Sequence, residues 1–168
     1  TLDMAHALPG GRKGGITFAP EAGSQRLRDV INKNSKQEDL LRAAEIAYRE
    51  GWNSVKLYFM IGLPTERMND LDGIIELSAK VAALRKRNGQ KISVSVSPFV
   101  PKTHTPFQWH QQESLDSTRQ KLEYLRSRFQ KTPVKFSAHN PENSLFEGTI
   151  ARGDRRICLL YTSDAADE

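Results

Sequence analysis

Val55-Lys-Leu-Tyr-Phe-Met-Ile-Gly-Leu-Pro-Thr-Glu66 is the stretch on which the fold turns. Val55, Leu57, Phe59 and Ile61 alternate with Lys56, Tyr58 and Met60, the period-2 pattern of a strand with two unlike faces. Gly62 and Pro64 then break the run into a polar loop. Two other stretches share this design: Ile16-Thr-Phe-Ala-Pro-Glu-Ala-Gly-Ser24 and Ile92-Ser-Val-Ser-Val-Ser-Pro-Phe-Val-Pro101. An amphipathic, helix-like segment follows each one. That strand-loop-helix rhythm belongs to a parallel α/β protein, whose functional groups gather in the loops at the C-terminal strand ends.

Outward from these stretches, the pattern predicts an element order. Residues 1–14 read as a connecting segment and 16–20 as a short strand. Gly23-Ser24 is expected to cap a helix with Leu27, Val30 and Ile31 on its buried face. Ser35-Lys-Gln-Glu38 has the form of a capping box opening a second helix. Leu40, Leu41, Ala44, Ala47 and Tyr48 share one face of that helix, and Gly51 stops it. A strand over 52–61 leads to a helix over 70–88, with Leu71, Ile74, Ile75, Ser78 and Val81 at helical spacing and Gly89 beyond its end. A strand over 92–100 follows. Ser114 caps a helix whose seam is Leu115, Thr118, Leu122, Leu125 and Phe129. Residues 133–138 form a further strand, and the chain from Asn140 is expected to be irregular.

The strand alternation bears on function. Ile92, Val94 and Val96 oppose Ser93, Ser95 and Ser97, while Ile16 and Phe18 oppose Thr17 and Ala19. The apolar faces must meet the covering helices, which leaves the other face small and polar. A closed eight-stranded barrel fills its interior with branched aliphatics. A polar interior therefore points to a wider or open barrel with a ligand in its lumen. An antiparallel sheet with one wet face is the alternative.

At 168 residues the chain is about one domain long. It has no run of 18 apolar residues and no basic-then-apolar leader, so no membrane contact and a cytoplasmic location are expected. A net charge of +5 permits an anionic partner without requiring one. Lys80, Arg85, Lys86 and Arg87 read as the solvated end of the 70–88 helix. The single cysteine, Cys158, opens Cys158-Leu-Leu-Tyr-Thr-Ser-Asp-Ala-Ala-Asp-Glu168, which reads as the translation of a transposase adapter used in library preparation. Residues 158–168 are then non-native. Without Asp164, Asp167 and Glu168 the net charge rises by three, and the chain is a fragment of a longer protein, cut on both sides.

Chemistry-bearing groups sit in the three loops. Glu21 ends a strand, where a carboxylate can accept from a ribose hydroxyl or an amino group. Gly23 permits close approach of backbone to a ligand, and Ser24 begins a helix whose N-terminus attracts anions. An ordinary helix cap is the plain alternative. Gly62-Leu-Pro-Thr-Glu66 repeats the arrangement on the next strand. After Ser97, prolines fix the path of residues 98–109, and Phe99 and Val100 can lie against a planar ring. His104 and His110 are acid/base or metal candidates six residues apart, without a clustered partner. His6 and His139 stand alone. No serine-histidine-acid order, P-loop, GxGxxG or CxxC is present. Lys56, at an inward strand position, suits the Schiff-base lysine of an ordinary TIM-barrel lyase or aldolase. The basic balance also admits a non-catalytic RNA-binding module.

Taken together, the loops resemble the later strands of a radical S-adenosylmethionine domain, most closely that of uncharacterised radical enzymes carrying a cobalamin-binding domain. The resemblance rests on Thr17-Phe-Ala-Pro-Glu-Ala-Gly-Ser-Gln-Arg-Leu-Arg-Asp-Val-Ile-Asn-Lys33, on Leu57 to Glu66, and on Val96-Ser-Pro-Phe-Val-Pro-Lys102 with Thr105-Pro-Phe107. Asn140-Pro-Glu142 and Ala151-Arg-Gly-Asp-Arg-Arg156 extend it. It implies an α/β fold, the C-terminal half of a partial (β/α)6 TIM-like barrel over residues 15–139, with 140–157 as an extension. It implies S-adenosylmethionine and a 4Fe–4S cluster as cofactors, with cobalamin as a further cofactor of the parent protein. Reductive cleavage would give a deoxyadenosyl radical acting on an unknown substrate, with flavodoxin or ferredoxin as electron donor. An RNA or ribosomal substrate is compatible with the charge. By resemblance, Glu21, Gly23 and Ser24 lie near the ribose and methionine moieties. By the same resemblance the strand end at Ile61, Gly62 and Leu63 and the segment Phe99–Val100 would line the adenine, with Tyr58, Met60 and Ser97 as further cofactor-binding residues. The family's CxxxCxxC motif is missing here, so the cluster ligands are expected outside this fragment, and the fragment alone is expected to be inactive.

Overall fold

The computed structural model describes residues 14–157. The expected connection over 1–13, His6 and the tail from Cys158 lie outside the described residues. In chain order the elements are β1 (Gly15–Glu21), α1 (Gln25–Val30), α2 (Gln37–Arg49), β2 (Ser54–Ile61), α3 (Met68–Ala83), β3 (Lys91–Pro98), α4 (Leu115–Phe129), β4 (Lys135–Ala138) and α5 (Pro141–Arg152). The four strands form one sheet in the order β1-β2-β3-β4. Every pairing is parallel, which excludes the antiparallel alternative. Helices alternate with strands, so the α/β class is as expected.

Register follows from the apolar alternation. Ile16 lies beside Val55 and Val55 beside Ile92, while Phe18, Leu57 and Val94 form the next row. One row of apolar side chains thus crosses the sheet at each level. A slip of one residue would turn every one of them away from the core, and so the register is strongly specified. Against these rows pack Ala44, Ala47 and Tyr48 of α2, Leu71, Ile74, Leu77 and Val81 of α3, and Leu122, Leu125 and Phe129 of α4. Each fully buried large side chain contributes about 1.5–3 kcal/mol relative to exposure.

The opposite face carries Thr17, Lys56, Tyr58, Met60, Ser93, Ser95 and Ser97. None of them belongs to this core. Met60 alone joins a second small cluster, with Ala22, Leu27, Leu63, Ile31 and Phe99, at the C-terminal end of the strands.

Four expectations are corrected. The capping box does not form, because α2 begins with Lys36 at the N-cap and places Glu38 one position short of where a box needs it. Val30 is 39% exposed, and Arg28 instead joins Leu27 on the buried face of α1. Helix α3 ends at Ala83, so Arg85, Lys86 and Arg87 lie beyond it. The Gln90 side-chain oxygen accepts from the amides of Lys86 (2.7 Å) and Arg87 (3.1 Å), groups that a longer helix would have bonded internally. Finally, the chain after Asn140 is helical. The Asn140 carbonyl side-chain oxygen accepts from the Glu142 and Asn143 amides at 2.7 and 3.1 Å, and Pro141 occupies the first helical position.

Candidate functional site

Parallel pairing brings the loops after β1, β2 and β3 to one edge. In the first, a register irregularity between Phe18 and Glu21 re-aims the strand end. Glu21 adopts φ 68°, a left-handed conformation uncommon outside glycine. Its half-buried carboxylate pairs with Lys33 at 3.3 Å. Gly23 is buried, and a Cβ there would lie 2.3 Å from both the Asp70 carbonyl oxygen and the Ile74 amide of α3. The close approach that this glycine permits is therefore to a helix.

The loops after β1 and β2 are joined through Asp70, whose side chain is 4% exposed. It accepts from the Ser24 hydroxyl, from the Arg26 guanidinium and, at 2.7 Å, from the Arg67 amide. Ser24 also accepts from the Leu27 amide at 3.1 Å, as the cap of α1. Arg26 reaches on to the Thr65 hydroxyl (3.2 Å) and carbonyl (3.0 Å). It thereby holds a β-branched residue at φ 66°. Burial alone would raise the Asp70 pKa, but the bonds from Ser24, Arg67 and Arg26 together hold it below the usual carboxylate range.

A second polar cluster anchors the β2 end. Gly62 adopts φ 77°, and its amide donates to Glu66 at 2.8 Å. The Glu66 side chain, 2% exposed, pairs with Lys121 at 2.7 Å. Lys121 also pairs with Glu113 at 2.7 Å. The Ser117 hydroxyl donates to the same Glu113 oxygen, and the other oxygen is buried without a partner. Burial pushes Glu66 up, against the pull of Lys121 and the Gly62 amide. Burial would lower Lys121, yet its two carboxylate partners raise it. Sequence reasoning missed this cluster because its members lie 47 and 55 residues apart from Gly62's loop to α4. One signal was available: Lys121 sits between Thr118 and Leu125 on the apolar seam of its helix.

The third loop begins where the Phe99 amide donates to the Ile61 carbonyl at 2.8 Å. Phe99 meets Phe107 edge-on at 5.9 Å, and Phe107 meets His110 at 5.2 Å. The ten residues singled out from sequence thus fall into two groups. Gly23, Ser24, Ile61 and Gly62 are engaged in packing or internal hydrogen bonds. Glu21, Tyr58, Met60, Ser97, Phe99 and Val100 are half-buried, with Glu21 paired to Lys33, Tyr58 bonded to Lys56, and Met60 and Phe99 packed in the second cluster. Lys56 is the third residue of β2, about 17 Å along the strand from Ile61. Its ammonium donates to the Tyr58 hydroxyl at 2.7 Å. Among the described residues no group of three or more His, Cys, Asp or Glu side chains is gathered as a metal site. No described helix is long and apolar enough to cross a membrane.

No family model matches the chain. It is similar to an uncharacterised protein of Methanocaldococcus jannaschii, with 36% identity over 143 residues. The match covers 84% of this chain and 31% of that protein, so the chain spans about a third of its relative's length.

Proposed function

We propose that the chain is part of a radical S-adenosylmethionine enzyme, contributing the C-terminal half of a partial (β/α)6 barrel. One observation carries the reading: Glu21 stands at the C-terminal end of β1, and Met60 and Phe99 share a small cluster at the ends of the two adjacent parallel strands, beside a polar sheet face outside the main core. The half-buried Phe99 ring and Met60 thioether fit the adenine, and the Glu21 carboxylate fits a ribose hydroxyl. When bound, S-adenosylmethionine and a reduced 4Fe–4S cluster supply a deoxyadenosyl radical that takes a hydrogen atom from the substrate.

This chain's part is positioning. Asp70 and Arg26 hold the loops after β1 and β2 as one unit, so that Glu21 and the β2 end keep a fixed separation. The Phe99–Phe107–His110 contacts stiffen the third loop over the same edge. With a single cysteine, Cys158, the chain cannot supply the three thiolates of a cluster, whose ligands belong to segments beyond it. Cytoplasmic location, a flavodoxin- or ferredoxin-type donor and a role for cobalamin belong to the same reading. For the Lys56 lyase no observation speaks, since that lysine stands far from the C-terminal loops.

The test is made on the parent reading frame. A CxxxCxxC motif after a strand upstream of Thr1, with anaerobic cluster reconstitution and S-adenosylmethionine cleavage, is the expected result. Phe99→Ala in that protein should weaken S-adenosylhomocysteine binding about tenfold, the stacking loss of one ring. An upstream frame that completes a barrel without a cysteine triad would sink the reading.

A further inference from the structure

A separate groove runs beside β1, and it shares none of the ten residues discussed above. Phe18, Leu40 and Ala43 form its apolar wall, and Arg28 and residues 34–37 form its polar end. Arg28 is 1% exposed, the largest fully buried side chain among the described residues. Its terminal nitrogens donate to the Ala22 carbonyl (2.8 Å), the Gly23 carbonyl (3.2 Å) and the Gln25 side chain (3.2 Å). Its Nε is buried and donates to nothing, and no carboxylate among the described residues forms an ion pair with it. Asp29 and Glu38 act on it only at a distance, without a direct bond. A buried guanidinium with a free N–H and no directly bonded carboxylate is costly, and native proteins normally satisfy such a group.

A second feature converges on the same place. Helix α2, 13 residues long, begins at Gln37 with no side chain capping its first amides. Those amides and the positive end of the helix dipole favour a negatively charged oxygen. Lys36 and Ser35 stand beside them in the lining. Asp39, exposed on the same turn, also lines the groove and opposes a doubly charged anion.

We propose that this groove binds a small carboxylate-bearing molecule, its carboxylate at Arg28 and the α2 N-terminus and its apolar stem against Phe18, Leu40 and Ala43. The guanidinium and the amides supply charge-assisted hydrogen bonds, while Asp39 selects a monoanion over phosphate. The site lies on the core side of β1, reached by Phe18, Ala19 and Pro20 rather than by the polar sheet face, and its occupancy does not depend on the radical chemistry proposed there.

The test is titration of the chain with acetate, hexanoate and inorganic phosphate, followed by amide and arginine Nε–H resonances. The expected result is saturable binding that shifts Arg28 Nε–H and the amides of residues 35–39. Hexanoate should bind at least about tenfold more tightly than acetate, since each buried methylene is worth roughly fourfold. Gln37→Pro removes one donor at a helix position that tolerates proline, after a residue already extended at ψ 151°. It should keep the fold and weaken hexanoate about tenfold. Arg28→Lys removes the Nε–H and should abolish the response; if that variant fails to fold, Gln37→Pro carries the test. Tighter binding of phosphate than of hexanoate, or shifts scattered over the lysine-bearing surface, would overturn the proposal. S-adenosylhomocysteine binding by the parent protein should be the same in Gln37→Pro and wild type, which separates this site from the reading above.

Discussion

Gly23→Ala isolates the contact on which the first loop depends. The added Cβ would lie 2.3 Å from the Asp70 carbonyl oxygen, 2.3 Å from the Ile74 amide and 2.7 Å from the Gly73 carbonyl carbon. All three obstacles are backbone atoms of α3, and none can rotate away. Restoring ordinary contact at about 3.4 Å needs a separation of about 1 Å between loop and helix. That movement stretches the bonds from Ser24 and Arg26 to Asp70. Overpacking of this kind costs about 1–3 kcal/mol. A weakened hydrogen bond to a charged group adds about 1.5–3 kcal/mol. Against them stands about 0.4–1 kcal/mol gained because alanine restricts the unfolded chain. The expected net loss is about 1.5–5.5 kcal/mol, read by urea denaturation at constant m-value, with a fall in Tm of roughly 4–20 °C. Gly89→Ala is the control, because a Cβ there meets nothing within 4 Å and only its φ of 92° is unfavourable. Gly23→Ala within 0.5 kcal/mol of wild type, or no worse than Gly89→Ala, would refute the packing argument.

Asp70→Asn should cost about 2–4 kcal/mol at pH 7, because the Arg26 and Ser24 bonds lose their charge. The folded-state pKa of Asp70 lies below its ordinary value of 3.8, so its contribution is present above pH 3.8 and is lost as pH falls through the folded value. Chemical denaturation of wild type and variant should therefore converge in acid. Lys121→Met leaves the Glu66 and Glu113 carboxylates facing one another without their cation, and should cost about 3–5 kcal/mol at neutral pH. Because the raised Glu66 carboxyl is stabilising when protonated, the deficit should shrink toward pH 4, measurable by the same denaturation series. Burial pushes the Tyr48 phenol up to about 12, so its contribution is complete below pH 10 and is lost as pH rises toward 12. Tyr48→Phe, which deletes a 3.0 Å bond to the Lys91 carbonyl, should cost about 1 kcal/mol at pH 8 and become favourable near pH 12. An unchanged difference between those two pH values would count against the assignment.

The rhythm of elements and the sidedness of the strands were legible in the order of residues alone. Period 2 in residues 55–61 and 92–97, and helical spacing through Leu122, Leu125 and Phe129, are local properties, because each follows from where successive Cβ atoms point along one element. The stop at Gly51 (φ 90°) and the Ser114 cap were legible for the same reason. Asn140-Pro-Glu142 was equally local, a cap followed by a first-turn proline, and its helix could have been read. Tertiary structure alone decided the rest. That Gly23 faces Gly73, that Asp70 gathers Ser24 and Arg26 from 46 and 44 residues away, and that Glu66, Glu113 and Lys121 share one buried volume all depend on the parallel register. Gln90 likewise ends α3 by reaching back to the carbonyls of Tyr48 and Trp52, contacts no window of sequence contains. Such partners are chosen by packing between elements, whereas propensity and periodicity describe one element at a time.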